Sequence, residues 1–248
     1  MSNRNIVASM KPLGDSAIIV QLGEGISPTI HELVSNLSTL VNNHKFEGFI
    51  ESVPAYNNLT IYYNPVVVHH SQKNKVAGHA SLTSFQKVSA FMEVLVQQIG
   101  TNLALEKRVV TIPVLYGDEF GPDLEYVAQY HGLSAEEVIQ LHSGAEYLVY
   151  MIGFAPGFPF MGGLSEQIAT PRKKTPLLAI APGSVGIAGK QTGVYPLETP
   201  GGWQIIGRTP LDLFLPAISP PTLLQAGDII RFTPISPEEY YHYKEMKQ

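Results

Sequence analysis

Gly153-Phe-Ala-Pro-Gly-Phe-Pro-Phe-Met-Gly-Gly-Leu164 opens the stretch whose reading decides this chain. It continues as Ala181-Pro-Gly-Ser-Val-Gly-Ile-Ala-Gly-Lys-Gln-Thr-Gly193 and as Pro200-Gly-Gly-Trp203. Between Gly153 and Pro210 stand 11 of the chain's 22 glycines, so this is where the backbone turns most sharply. Glycine permits positive φ and close backbone approach, whereas proline fixes φ and removes a donor. A Gly/Ser linker would lack aromatic residues. Here Phe154, Phe158, Phe160 and the chain's single tryptophan are interleaved with the glycines, which predicts tightly turned loops of fixed shape.

Working outward, the composition sets bounds. At 248 residues and 44% hydrophobic content the chain is long enough for one large domain or two small ones with real cores. A net charge of −5 and the lack of a long Lys/Arg run argue against a nucleic-acid partner; Arg172-Lys173-Lys174 is the nearest approach to a basic cluster. With no cysteine, disulfides, thiol nucleophiles and cysteine-held metals are excluded. No apolar run approaches membrane-spanning length and the first residues lead into no signal-like segment, so a soluble cytoplasmic protein is expected, with no membrane partner.

Toward the N-terminus the order reads strand (Ala17–Leu22), helix after Ser27-Pro28, strands at Phe49–Val53 and Leu59–Tyr63, a helix from about Ser84 ended by Gly100, and a strand at Arg108–Leu115. That order predicts a ferredoxin-like split βαβ arrangement over roughly the first hundred residues. His69–His79 reads as an exposed loop; its histidines have no carboxylate or cysteine neighbour, so no metal site is predicted.

After Gly117 a short helix is expected from Pro122-Asp123 to Gly132. A second, opened by a Ser134/Glu137 capping box, runs through Leu141. Strands follow at Glu146–Ile152, Leu211–Leu215 and Asp228–Phe232. Many short strands between turn residues predict a closed or nearly closed β structure. The fold class is α+β, with an N-terminal domain over residues 1–106 and a β-barrel domain over residues 107–248.

Gly183 and Gly189-Lys190 are misspaced for a phosphate loop, and Gln191 stands where a hydroxyl residue would hold Mg²⁺. A looser nest of backbone N–H groups stays open, with Gly186, Gly189, Lys190, Gln191 and Tyr195 as candidate cofactor contacts. Ser184 has a glycine directly before it, which does not make a nucleophile elbow. Arg172 and Arg208 offer guanidinium forks for a carboxylate or phosphoryl group, and either could equally pin a loop. His142, near a helix C-terminus where the macrodipole favours a protonated ring, is a candidate acid or base or a structural cap.

Five segments carry a resemblance: Gly153-Phe-Ala-Pro-Gly-Phe-Pro, Pro182-Gly-Ser-Val-Gly-Ile-Ala-Gly, Gln191-Thr-Gly-Val-Tyr-Pro, Pro200-Gly-Gly-Trp, and Ile206-Gly-Arg-Thr-Pro. Pro12-Leu-Gly-Asp and Val53-Pro-Ala-Tyr extend it over nearly the whole chain. The sequence resembles the carboxyltransferase-like family that includes the B subunit of 5-oxoprolinase, the small subunit of allophanate hydrolase-type proteins and a bacterial sporulation-kinase inhibitor. The resemblance implies a cyclophilin-like barrel in the second domain. It implies an ATP-dependent amidohydrolase subunit that opens 5-oxoproline to glutamate with a larger carboxyltransferase-like subunit and a third subunit. ATP with Mg²⁺ then acts at the level of the complex. As alternatives, the resemblance allows an inhibitor of a sporulation histidine kinase, or the small carboxyltransferase half of a urea carboxylase-like system, although no biotin-bearing motif is present. In a heteromer, Phe158 and Phe160 are the expected anchors at the partner surface.

Overall fold

The computed structural model describes residues 8–71, 82–99 and 107–246. The chain divides into two compact units, Met1–Glu106 and Lys107–Gln248.

In the first unit, β1 (Ser9–Pro12), β2 (Ala17–Gln21), β3 (Phe49–Pro54) and β4 (Asn58–Tyr63) form an antiparallel sheet in the order β1-β2-β4-β3. Helix α1 (Pro28–Asn43) joins β2 to β3 with β4 between them, which is a split βαβ unit. The strict alternation of β4 buries Leu59, Ile61 and Tyr63 against one face, where they meet Val34, Leu37 and Val41 of α1. Helix α2 (Pro65–His70) is started by Asn64, whose side chain accepts from the Val66 and Val67 N–H groups. Helix α3 (Ser84–Gln98) is started by a Thr83/Gln86 capping box and adds Val88, Met92 and Leu95 to the core.

Two expectations change here. The strand predicted at Arg108–Leu115 does not join this sheet; the place beside β2 is taken by β1, which pairs Met10 with Val20. The order of elements along a chain does not choose a strand's neighbour. His69 and His70 lie in the last turn of α2 and not in a loop. The rest of that predicted loop through His79, and Gly100 as a helix terminator, lie outside the described residues.

The second unit contains β5 (Val109–Tyr116), α4 (Leu124–His131), α5 (Ala135–Ser143), β6 (Glu146–Ile152), β7 (Pro159–Gly162), β8 (Leu177–Ile180), β9 (Ser184–Ala188), β10 (Gln191–Val194), β11 (Thr199–Gly201), β12 (Gln204–Arg208), β13 (Ile229–Pro234) and α6 (Pro237–Glu245). Among the described residues, seven strands close a barrel in the order β10-β7-β6-β13-β5-β12-β9, while β8 and β11 pair separately. All barrel pairings are antiparallel except that of β13 with β5.

Val114, Val149, Met161, Val185, Ile187, Ile206 and Phe232 fill its core, and α4 and α5 add Leu124, Val127 and Val138. Ile206 joins that core while its neighbour Ile205 joins a smaller one with Phe158, Ile180, Tyr195 and Trp203, as strand alternation requires. Leu211–Leu215, expected as a strand, is not one: Pro210 and Pro216 bracket it, and only Phe214 makes an isolated bridge, to Thr222.

Candidate functional site

The loop from Gly153 to Phe158 is closed three times by its own backbone. Ala155 N–H donates to Gly153 O at 2.8 Å, Phe158 N–H to Ala155 O at 3.0 Å, and Gly153 N–H to Phe158 O at 3.0 Å. The second bond spans a turn with Pro156 at its first corner and Gly157, at φ +86°, at its second, the signature of a type II turn. The first bond encloses a single residue, Phe154, at φ +68°, which makes a γ-turn of the rare positive-φ kind. Such a backbone on a bulky residue costs of order 1–3 kcal/mol. It holds the Phe154 ring 67% exposed, edge-on to Phe158.

Behind this loop lies a cleft of about 300 Å³. Phe154, Phe158, Phe160, Tyr195 and Trp203 form its aromatic walls, and Gly201-Gly202 supplies bare backbone. The walls pack edge to face, with Phe158 5.4 Å from Trp203 and 5.2 Å from Tyr195 between ring centroids. Gly193 makes this possible, since a Cβ there would stand 2.8 Å from Phe158 and 2.9 Å from Trp203. Burial pushes the pKa of the Tyr195 hydroxyl up to about 12. That phenol is therefore neutral at any ordinary pH.

Arg172 and Lys173 stand at this cleft, and the loop that carries them is pinned on both sides. Gln204 Nε2 donates to Pro171 O at 2.9 Å, and Lys173 N–H donates to Gly202 O at 2.7 Å. The Lys173 ammonium is ion-paired with Asp123, whose other oxygen accepts the Ile205 N–H at 2.7 Å. Arg172 is left over the Trp203 ring, 5.9 Å from its centroid.

The remaining predicted residues do not gather here. Arg208 lies over Phe120 at 5.4 Å and has a buried Nε without a hydrogen-bond partner among the described residues. Lys190 pairs with Glu166 on the surface. Gly186 is buried in β9 and its carbonyl accepts from Thr192 Oγ1; Gly189 is a turn residue at φ +58°, and Gln191 begins β10. Tyr195 alone of the five candidate cofactor contacts lines the cleft. Ser184 is enclosed in β9.

His142 is fully enclosed between Tyr116 and Thr192, and stacked on Phe232 at 4.6 Å. Burial lowers its pKa to about 3, so the protonated ring expected from the macrodipole is not met; desolvation outweighs the helix end. Phe158, expected as a partner anchor, is 1% exposed, and the exposed ring is Phe154. Phe154 was legible only as one of the aromatics interleaved with the glycines, and Lys173 and Asp123 were not legible as site residues. The Gly-Phe-Ala-Pro-Gly pattern could have marked the first, since a bulky residue between such turns is open to an imposed φ.

A barrel with aromatic glycine loops folded over an arginine-bearing cleft defines the class. The chain belongs to the family described as carboxyltransferase domain, subdomain C and D, whose model matches residues 8–224. It is 49% identical to the B subunit of 5-oxoprolinase from Bacillus subtilis, over 95% of this chain and 96% of that one. The solved structure of a conserved uncharacterized protein from Pyrococcus horikoshii is 40% identical, with a TM-score of 0.53, over 94% of this chain and 100% of that chain. The Kluyveromyces lactis urea carboxylase shares the fold at 19% identity and a TM-score of 0.70, over 96% of this chain and 22% of its own.

Proposed function

We propose that this chain is the B subunit of an ATP-dependent 5-oxoprolinase, opening the lactam of 5-oxoproline to glutamate together with a larger carboxyltransferase-like subunit and a third subunit. The observation that carries this reading is the 49% identity to a 5-oxoprolinase B subunit across essentially the full length of both chains. The site geometry agrees with a partial contribution. Ser184 and His142 are enclosed, whereas Arg172 is exposed at the aromatic cleft, so this chain supplies binding and charge and not a nucleophile with its base. ATP with Mg²⁺ belongs to the complex in this reading; of the five candidate cofactor contacts, Gly186 is buried in β9 and Tyr195 alone lines the cleft. The second unit serves as the cyclophilin-like carboxyltransferase-type domain, and the complex works in the cytoplasm.

Reconstitution tests the reading. The purified chain should show no 5-oxoproline-dependent ADP release, and activity should arise only when both companion subunits are added. Lactam opening by the chain alone would overturn the shared site. Failure to bind the companions together with sub-micromolar inhibition of a sporulation histidine kinase would replace the enzyme with a regulator.

A further inference from the structure

The ion pairs of the second unit leave one cation over at the cleft. Arg108 is matched by Asp228, Lys173 by Asp123, Lys190 by Glu166 and Arg231 by Glu146. Among the described residues Arg172 has neither a carboxylate partner nor a hydrogen bond; its neighbour is the face of Trp203. Stacking on an indole uses the flat face of a guanidinium and leaves the N–H donors along its edge uncommitted. Those donors match a carboxylate in the two-bond fork geometry. No acidic side chain lines the cleft to compete for them. A volume of about 300 Å³ walled by aromatic faces suits one small ring.

We propose that the cleft binds a small ring bearing a single carboxylate, with the carboxylate on Arg172 and the ring against Trp203 and Phe160. The proposal rests on the 5-oxoprolinase reading, in which that ring is 5-oxoproline, and assigns the substrate's first contact to this chain. Lys173, of the same sign and next in sequence, has a different task. Its ammonium is neutralised by Asp123, and its backbone is tied to Gly202, so it is a positioning residue that keeps Arg172 over the indole.

Trp203 is the chain's only tryptophan, so its fluorescence reports this cleft alone. The full chain is titrated with 5-oxoproline, with cyclopentanecarboxylate, which keeps the acid without the lactam, and with pyrrolidin-2-one, which keeps the lactam without the acid. Calorimetry run in parallel covers a spectroscopically silent site. Both acids should bind saturably and pyrrolidin-2-one at least about tenfold more weakly. Arg172→Ala should abolish binding with an unchanged melting temperature. Lys173→Met should weaken it about tenfold, and Lys173→Arg should restore it. No binding of 5-oxoproline up to about 50 mM, equal binding of the neutral lactam, or an Arg172→Ala variant that binds like wild type would overturn the proposal. If the reconstituted enzyme is active while the titrations fail, the cleft assignment falls and the 5-oxoprolinase reading stands. Saturable binding to a chain that never supports activity gives the reverse.

Discussion

His142 Nε2 lies 2.9 Å from Thr192 Oγ1, and Thr192 spends its own proton on the Gly186 carbonyl at 3.1 Å. Thr192 must therefore accept from His142, which places the imidazole proton on Nε2. The opposite nitrogen then accepts from the Tyr116 hydroxyl at 2.8 Å. A chain of single donors runs from β5 through the α5 helix end to β10 and β9, and a second ring proton would force the Tyr116 hydroxyl to give up its donation.

That arrangement has a pH signature. Near neutral pH the ring is uncharged in both the folded and the unfolded chain. Below the ordinary histidine value of 6.5 the unfolded chain takes up a proton that the folded chain refuses until about pH 3. Folding stability therefore falls as the pH falls, by about 1.4 kcal/mol per pH unit across that window. Urea unfolding at pH 7 and pH 5 should show a loss of roughly 2 kcal/mol from this ring. His142→Gln, which cannot ionise, should show a correspondingly shallower dependence. An identical slope would place the acid sensitivity elsewhere.

Phe154 and Phe158 touch each other yet should behave oppositely on substitution. Phe158→Ala removes a buried ring and should cost about 3–5 kcal/mol. Phe154→Gly removes an exposed ring and relieves a positive φ, and the strain released offsets glycine's added chain entropy of up to about 1 kcal/mol. Its stability should stay within about 1 kcal/mol of wild type. Its association with the larger subunit should weaken, measured by co-purification or calorimetry. A Phe154→Gly variant that assembles normally would remove this loop from the partner surface.

Gly193→Ala should damage the cleft from behind. Its methyl group would meet Phe158 at 2.8 Å, Trp203 at 2.9 Å and the Pro159 carbonyl at 3.1 Å, and packed rings have nowhere to yield. A loss of about 1–3 kcal/mol is expected, with a shifted Trp203 emission maximum. Unchanged emission would mean that the rings are looser than their packing indicates.

Each unit should fold without the other. The first core is drawn from residues between Ile18 and Ile99, and both cores of the second from residues between Ile112 and Phe232. Residues 107–248 expressed alone should give a cooperative thermal transition and native Trp203 fluorescence. A molten fragment would show that the units depend on each other for stability.

Much of the fold was legible because it rests on local chemistry. The Ser134/Glu137 capping box, Gly132 as the left-handed end of α4, and the apolar spacing of α1 and α3 all appear where the residues place them. The sheet partners were not legible, because β1, Ser-Met-Lys-Pro and mostly exposed, carries no apolar alternation to mark it as a strand, and only its pairing with β2 shows that it takes the place expected for β5. The site divided in the same way. Arg172 could be read from its charge and its neighbours, but its difference from Arg208 depends on which aromatic ring folds beneath each. The role of Asp123 was hidden because it acts across 50 residues on Lys173 and 82 on Ile205.

The barrel is sealed by β5 and β13, paired side by side in the same direction with Val109 opposite Ile229 and Val114 opposite Pro234. The Arg108–Asp228 ion pair fastens the same seam. Such a seam has no hairpin to nucleate it, and its two halves are separated by nearly the whole length of the unit. During synthesis the first unit can complete its sheet while β13 is still unmade. The six other barrel strands must wait, with β5 and β6 each lacking a neighbour, until the residues around 234 leave the ribosome. The order of translation thus sets a period in which two open strand edges are exposed, and the growing chain is most prone to aggregate in that interval.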